Sequence, residues 1–478
     1  MKKHIYTLAA CLTAVLFAAS CNSLLDINTK HALDESKIRT EEGCEGLVVG
    51  VYDLMQSPTY TARDLTCLPD VMGDNLQPTP GASRYNRQYN FIPRYHMDIW
   101  GSAYELIESL NEALEILSTL PTTDKAKAIR GEALFLRAYN YFYLASIYGR
   151  MPGHEVQNFN LCVPLITKPF FNDSDNLAES SMVARDNVET VWKAISDDLN
   201  EAYECLANTK PTGSVYRVSA MTVKAFQSRV YLYKGEWRDA IDAADFVIKN
   251  SGVDIYAGTY TDIFSKGRES LWQLHFTETE SLASSSLHSM YGTVDNGNRD
   301  AEGYGDGKGA GDAQLSVTPD FMALIDMDND TRAGALRKVH FNGQNLWWST
   351  KFNSWGGQFG LDDIPIIRIS EIYLNRAEAY AHLNDISKAR ADVNLLRNKR
   401  GLADTDVPDS GILEEVLLQR RIELAFEGHR FFDLKRLGKD IVRPAGMPTI
   451  SYDDYRVVAC IGTSELDVNT LLVNNPGY

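Results

Sequence analysis

A repeated helix–turn–helix pattern restricts the fold most. Residues 229–248 and 378–397 align without gaps, matching Tyr231 with Tyr380, Gly235 with Asn384 and Ala240 with Ala389, each pair 149 positions apart. Small residues at such a crossing let two antiparallel helices approach, and aromatic side chains fill the groove between neighbouring pairs. One pair cannot bury its apolar face alone, so the repetition predicts a stack of tetratricopeptide-like units. Residues 98–147 read the same way. Trp100, Tyr104, Ile107, Asn111, Leu114 and Leu117 recur at steps of three and four, and Pro121 breaks the run before a second helix. The expected class is mainly α: a helical-hairpin scaffold carrying long irregular loops.

The segment GEALFLRAYNYFYLASIYG, residues 131–149, poses a choice between a ligand platform and a core spine. Leu134, Ala138, Tyr141 and Tyr148 line one helical face, and Phe135, Tyr139 and Phe142 line the next. More than half the circumference is therefore apolar, which predicts a helix buried between neighbours whose tyrosine hydroxyls satisfy buried polar groups.

Two long stretches interrupt the helices, 64–93 and 275–363, both rich in Gly, Asn and Asp and dotted with aromatics. Long loops on a rigid scaffold usually hold function. A sugar ring offers C–H faces to aromatic rings and hydroxyls to Asn, Asp and Arg, so shallow loops suffice to bind it. The candidate ligand contacts are the aromatics Tyr85, Tyr89, Tyr291, Tyr304, Trp347, Trp348 and Trp355, expected to be exposed, with Asp74, Asn75, Arg84 and Asn86 as polar partners.

The N-terminus reads as an export signal. Lys2 and Lys3 precede an apolar run from Ile5 to Ala19, and Ala18, Ala19 and Ser20 lead into Cys21. This predicts a lipoprotein signal peptide over residues 1–20, with Cys21 acylated as the mature N-terminus. No later run is long and apolar enough to span a bilayer. The formal net charge is −17, and −19 once Lys2 and Lys3 are removed, a sign that repels nucleic acid and anionic headgroups. Cys44, Cys67, Cys162, Cys205 and Cys460 show no metal-ligand spacing.

Several motifs look chemical. Residues 326–332, DMDNDTR, start like a calcium loop, but Thr331 replaces its glycine. Residues 303–312 hold a Gly-Lys pair without the following Ser or Thr of a phosphate loop, and His154–Glu155 lacks a second histidine at Asn158. Neither a metal nor a cofactor is expected. Glu423 and Glu427, four apart, are the best glycosidase pair on offer. Arg420, Arg421, His429 and Arg430 stand close in sequence and would hold both acids ionised, so a structural ion-pair network is expected there, as for Glu132 and Arg137.

The segments IWGSAYELIESLNEALEIL, IRGEALFLRAYNYFYLASIYGRMP and LSVTPDFMALIDMDNDTR resemble the SusD/RagB family of outer-membrane nutrient-binding lipoproteins. So do IPIIRISEIYLNRAEAYAHLNDISKARADVNLLRNKRGL and LLQRRIELAFEGHRFFDLKRLG, in the same order along the chain. The resemblance implies a SusD-like domain over residues 21–478, with an N-terminal part to 210 and a C-terminal part from 211, and four tetratricopeptide-like units. It also implies a surface lipoprotein of the cell outer membrane. Such a protein binds oligosaccharide without cleaving it and passes it to a TonB-dependent, SusC-like transporter. Alternatives are a peptide receptor of the RagB type and, further off, a glycoside hydrolase.

Overall fold

The computed structural model describes residues 35–170, 182–209, 214–292, 312–341, 344–444 and 446–478. The signal segment, Cys21 and Tyr304 lie outside them. The long helices are α1 (Glu41–Met55), α2 (Asp64–Met72), α3 (Trp100–Thr119), α4 (Asp124–Tyr148), α5 (Val188–Leu206), α6 (Ala220–Lys234), α7 (Trp237–Asn250), α8 (Ile369–His382), α9 (Ile386–Lys399), α10 (Ile412–Glu423) and α11 (Arg430–Arg436). No described helix is long and apolar enough to cross a membrane.

Side-chain caps set where the helices begin. Thr123 accepts a hydrogen bond from the Ala126 amide at the start of α4, and Asn187 one from the Thr190 amide at the start of α5. Ser219 and Thr222 form a reciprocal capping box on α6. The three expected hairpins are present as α3–α4, α6–α7 and α8–α9. Helix α4 also packs along α5, α7 on α8, and α8 on α10, so the pairs stack side by side.

Helix α4 is the spine. Every residue from Gly131 to Tyr148 is buried. Its rings meet their neighbours edge to face: Phe135 and Tyr139 lie 5.2 and 5.3 Å from Trp272, and Phe142 5.2 Å from Phe226. The hydroxyls do the polar work expected of them. That of Tyr141 donates to the Ile166 carbonyl and accepts from the Ile166 amide, while that of Tyr148 accepts from the amides of Ile99 and Trp100. Glu132 and Arg137 are both ion-paired, but not to each other. Glu132 takes Arg217 at 2.7 Å and Arg137 takes Asp198 at 2.7 Å, so each acts between elements rather than along α4.

Buried ion pairs join the repeats. Arg229 of α6 reaches Glu371 of α8 at 2.6 Å, and Arg436 of α11 reaches Glu378 of α8 at 2.5 Å. Among the described residues six strands form three small antiparallel ladders: β1 (Leu76–Pro78) with β3 (Leu315–Val317), β2 (Ser270–Leu274) with β6 (Ile364–Arg368), and β4 (Leu336–Phe341) with β5 (Gln344–Ser349). The first joins the two loop segments directly, pairing Leu76 with Val317 and Pro78 with Leu315. The Thr79 amide donates to the Gln314 carbonyl and the Thr318 hydroxyl to the Asp74 carbonyl, which extends this seam at both ends.

Candidate functional site

The polar candidates nearest the seam are anchors of the fold. Asp74 accepts two bonds from Arg430, at 2.6 and 2.8 Å, and pairs with Arg421 at 3.1 Å. Asn75 is fully buried, donating to Asp70 and accepting from Arg421. Asp70 in turn accepts from the amides of Phe426 and Gly428 in the turn between α10 and α11. Gly428 stands at φ 86°, and a Cβ there would lie 2.4 Å from the Leu65 carbonyl oxygen, so this turn admits only glycine. These groups clamp the first loop segment to the C-terminal helices.

Three aromatics expected at the surface are inside. Tyr291 is 1% exposed, between Phe352 and Phe426, with its hydroxyl on the Phe426 carbonyl. Trp348 is 2% exposed, in a cluster with Ala313, Val339 and Leu346 and against Gly292. Tyr85 is buried, and its hydroxyl donates to Asp64 at 2.6 Å. Loop composition announced rings without saying which way they turn, and burial of their large apolar area decided it. Trp347 is half-buried against the main core. Arg84, Asn86 and Tyr89 stay partly accessible on the outer edge of the first segment, where Arg84 lies 3.9 Å from Asp312 and Tyr89 lies under Arg443.

Trp355 lines a cleft. It is an open depression of about 430 Å³ between the second loop segment and the scaffold, bordered by Tyr216, Gln273, His275, Trp355 and Asp363. The β2–β6 ladder builds its floor. His275 follows β2 and Asp363 precedes β6, so antiparallel pairing places them side by side, His275 Nδ1 being 2.9 Å from Asp363 Oδ1. The stretch before α6 joins this edge through a hydrogen bond from the Gln273 amide to the Val215 carbonyl, which sets Tyr216 over His275. Their rings stack with centroids 4.2 Å apart, 18° from parallel, and Tyr216 is 38% exposed. Asp363 also accepts from Gln273 Nε2 at 2.9 Å and the Phe276 amide at 3.0 Å.

Also in the lining, the Trp355 indole donates to the Lys351 carbonyl at 2.9 Å, which fixes the ring. The loop bearing it is held by Asp362, buried and accepting from the amides of Asn353, Ser354 and Trp355. Burial raises this carboxyl to about 7 against those three donors. The cleft therefore offers a stacked aromatic pair, an indole, a carboxylate and an amide, all held in place. That set suits reversible capture of a polyhydroxylated ring. Tyr216, His275 and Asp363 escaped the sequence reading because the first lies in a short pre-helical turn and the other two at the ends of the loop segment.

The acid pair at the C-terminus is locked. Glu423 pairs with Arg400 at 2.8 Å and Arg368 at 3.1 Å, and Glu427 with Arg368 and Lys351 at 2.7 Å each. Burial opposes ionisation, but Arg400, Arg368 and Arg332 outweigh it and hold Glu423 well below the usual carboxylate range. Arg368 and Lys351 likewise outweigh burial at Glu427 and lower its carboxyl. The network was expected; its partners were not. The bases close in sequence serve other acids, Arg420 taking Asp433 and Arg421 and Arg430 taking Asp74. Asp330 of the calcium-like stretch is bound to Arg332 at 2.7 Å.

Comparison with known proteins gives two family matches. Residues 328–478 match the SusD family, and residues 24–232 match a family described as starch-binding associating with outer membrane. SusD-like protein P2 of Formosa agariphila is 25% identical, with all of both chains covered. A crystal structure of a SusD superfamily protein from Bacteroides vulgatus is 25% identical with a TM-score of 0.79, covering 92% of this chain and 99% of that one. A laminarin-binding SusD-like protein has the same fold, with a TM-score of 0.72 at 22% identity, covering 91% and 99%.

Proposed function

The chain belongs to the SusD/RagB family, and from that premise we propose that it is a non-catalytic glycan-binding protein whose Tyr216–Trp355 cleft holds pyranose rings. The observation that bears this reading is the stacked Tyr216–His275 pair lining the same open depression as Trp355, Asp363 and Gln273. Such a site binds through ring faces and hydroxyls and leaves the glycosidic bond untouched. A hydrolase would need one carboxyl kept protonated, whereas Glu423 and Glu427 are ionised and enclosed by cations. The laminarin-binding relative supports a neutral glucan as the first ligand to try.

In this reading Cys21 carries the lipid that tethers the chain to the outer membrane, and the bound glycan passes to a TonB-dependent transporter of the SusC type. Weak intrinsic affinity then suffices, because confinement beside the transporter raises the effective concentration. The test is affinity electrophoresis of the purified protein in gels containing laminarin, with reducing ends assayed in parallel. Retardation that Tyr216→Ala abolishes, without release of reducing ends, is the expected result. Release of reducing ends, or retardation indifferent to Tyr216, overturns it.

A further inference from the structure

Tyr216 stands on the short turn before α6, 38% exposed and stacked on His275 with ring centroids 4.2 Å apart. An exposed tyrosine on such a turn buries little area and, left to itself, samples several rotamers. This turn is fastened on both sides of the ring. The Val215 carbonyl accepts from the Gln273 amide of β2 at 3.0 Å, and the Val218 amide donates to the Tyr52 hydroxyl at 3.0 Å. Between them Arg217 reaches into the scaffold, its Nε donating to Glu132 Oε2 at 2.7 Å and its Nη2 to Glu132 Oε1 at 2.8 Å.

Glu132 belongs to the buried stretch of α4, so it is a fixed point for whatever it holds. Its carboxylate also accepts from the Tyr52 hydroxyl at 2.7 Å. One acid therefore holds Arg217 directly and the Val218 amide through Tyr52. The two-pronged contact sets the plane of the guanidinium as well as its position, which a single point charge would not do. The Tyr52 ring backs it, 5.5 Å from the guanidinium carbon. Four residues beyond Tyr52, Gln56 at the end of α1 donates to the His275 carbonyl. Both members of the stack are thus tied to one corner, where α1 packs on α4. The fold gains little from ordering a ring that stays 38% exposed, yet the ties on residues 215, 217 and 218 converge on it.

We propose that Glu132 and Arg217 are positioning residues for glycan capture: the pair presets the Tyr216 ring on His275, so a sugar meets a finished platform without touching either charged group. The inference rests on the glycan-binding reading of the cleft and extends it to two residues outside the lining. Ordering one mobile side chain on binding weakens affinity about two- to tenfold, and that is the loss the pair prevents.

The experiment reads ring and affinity separately in the intact protein. A carbon-bound proton of the His275 ring is followed by NMR, assigned through His275→Gln and recorded well above the ordinary imidazole range so that titration does not mimic a shift. Laminarin retardation is measured by affinity electrophoresis. The Tyr216 face shields the His275 proton in the wild type, and Tyr216→Ala supplies its unstacked position. Arg217→Gln, where the side chain is 25% exposed, should move the signal most of the way to that position and weaken retardation about two- to tenfold. Glu132→Gln should do the same where its melting temperature shows it folded. Arg130→Gln breaks another pair on α4, with Glu201, and should change neither reading. An unmoved His275 signal in folded Arg217→Gln, a displaced signal with retardation intact, or equal displacement in Arg130→Gln overturns the positioning role. Wild type ignored by laminarin sinks the cleft reading instead, and the His275 signal still decides whether Glu132 and Arg217 set the ring.

Discussion

Gly235 and Asn384 close equivalent turns, at φ 72° and 61°, in the hairpins α6–α7 and α8–α9. Both terminate a helix in the left-handed region. The amide of each residue and that of the next return to carbonyls of the last turn. A Cβ disfavours this conformation by roughly 1–2 kcal/mol, and asparagine tolerates it better than other non-glycine residues. Gly235→Ala and Asn384→Ala should each lower stability by about 1 kcal/mol, whereas Asn384→Gly should be neutral or slightly stabilising. Urea unfolding of the three variants checks this. A stabilising Asn384→Ala would contradict the repeat equivalence.

Trp355 is held by its indole bond to Lys351 and by the Asp362-anchored loop, so in the proposed reading its ring would meet a glycan without prior ordering. Trp355→Ala should weaken glycan affinity by about 0.5–1.5 kcal/mol, roughly two- to tenfold in Kd, and Trp355→Phe should restore part of it. Titration calorimetry measures both.

Trp348 and Tyr291 should behave oppositely. Trp348→Ala removes a buried ring and should cost about 3–5 kcal/mol of stability, while the folded fraction retains its glycan Kd. Tyr291→Phe loses only the bond to the Phe426 carbonyl, about 1 kcal/mol. Denaturant midpoints paired with binding isotherms separate the two effects. A changed Kd in folded Trp348→Ala would make that ring part of the site.

Acid should dissolve the links between repeats. Burial opposes ionisation of Glu371 and Glu378, but Arg229 and Arg436 prevail and bring each to about 2, from an ordinary 4.5. Carboxyls depressed in the fold contribute stability that is complete above the unfolded value and lost as pH falls through the folded one. Tm should therefore hold to about pH 5 and drop steeply between 4.5 and 2. Glu378→Gln should flatten that drop and, by leaving Arg436 short of a partner, cost about 3–5 kcal/mol at pH 7.

The scaffold was legible because helical period, small crossing residues and turn breakers are local signals, and they located all three hairpins. The spine of α4 was legible for the same reason: too much apolar circumference for any place but the interior. The candidate cleft was not, since its parts are brought together by pairings that have no local pattern. Nothing in LQP or LSV announces that β1 and β3 pair. Asp74 and Asn75 looked like ligand groups because sequence does not show that Arg421 and Arg430 reach them. Tyr216 belongs to the cleft only because β2 accepts its neighbour as an edge partner.

The seam between β1 and β3, together with the clamp of Asp74 on Arg430, also bears on biogenesis. A nascent chain holds β1 with an open edge until β3 is made, and it holds Asp74 without its arginines until Arg421 of α10 and then Arg430 of α11 arrive near the end of synthesis. The seam thus completes last, after the helical pairs beneath it. A stop before α11 would leave the hairpins formed but Asp74 without Arg430, a chain whose unfinished seam stays open to proteolysis.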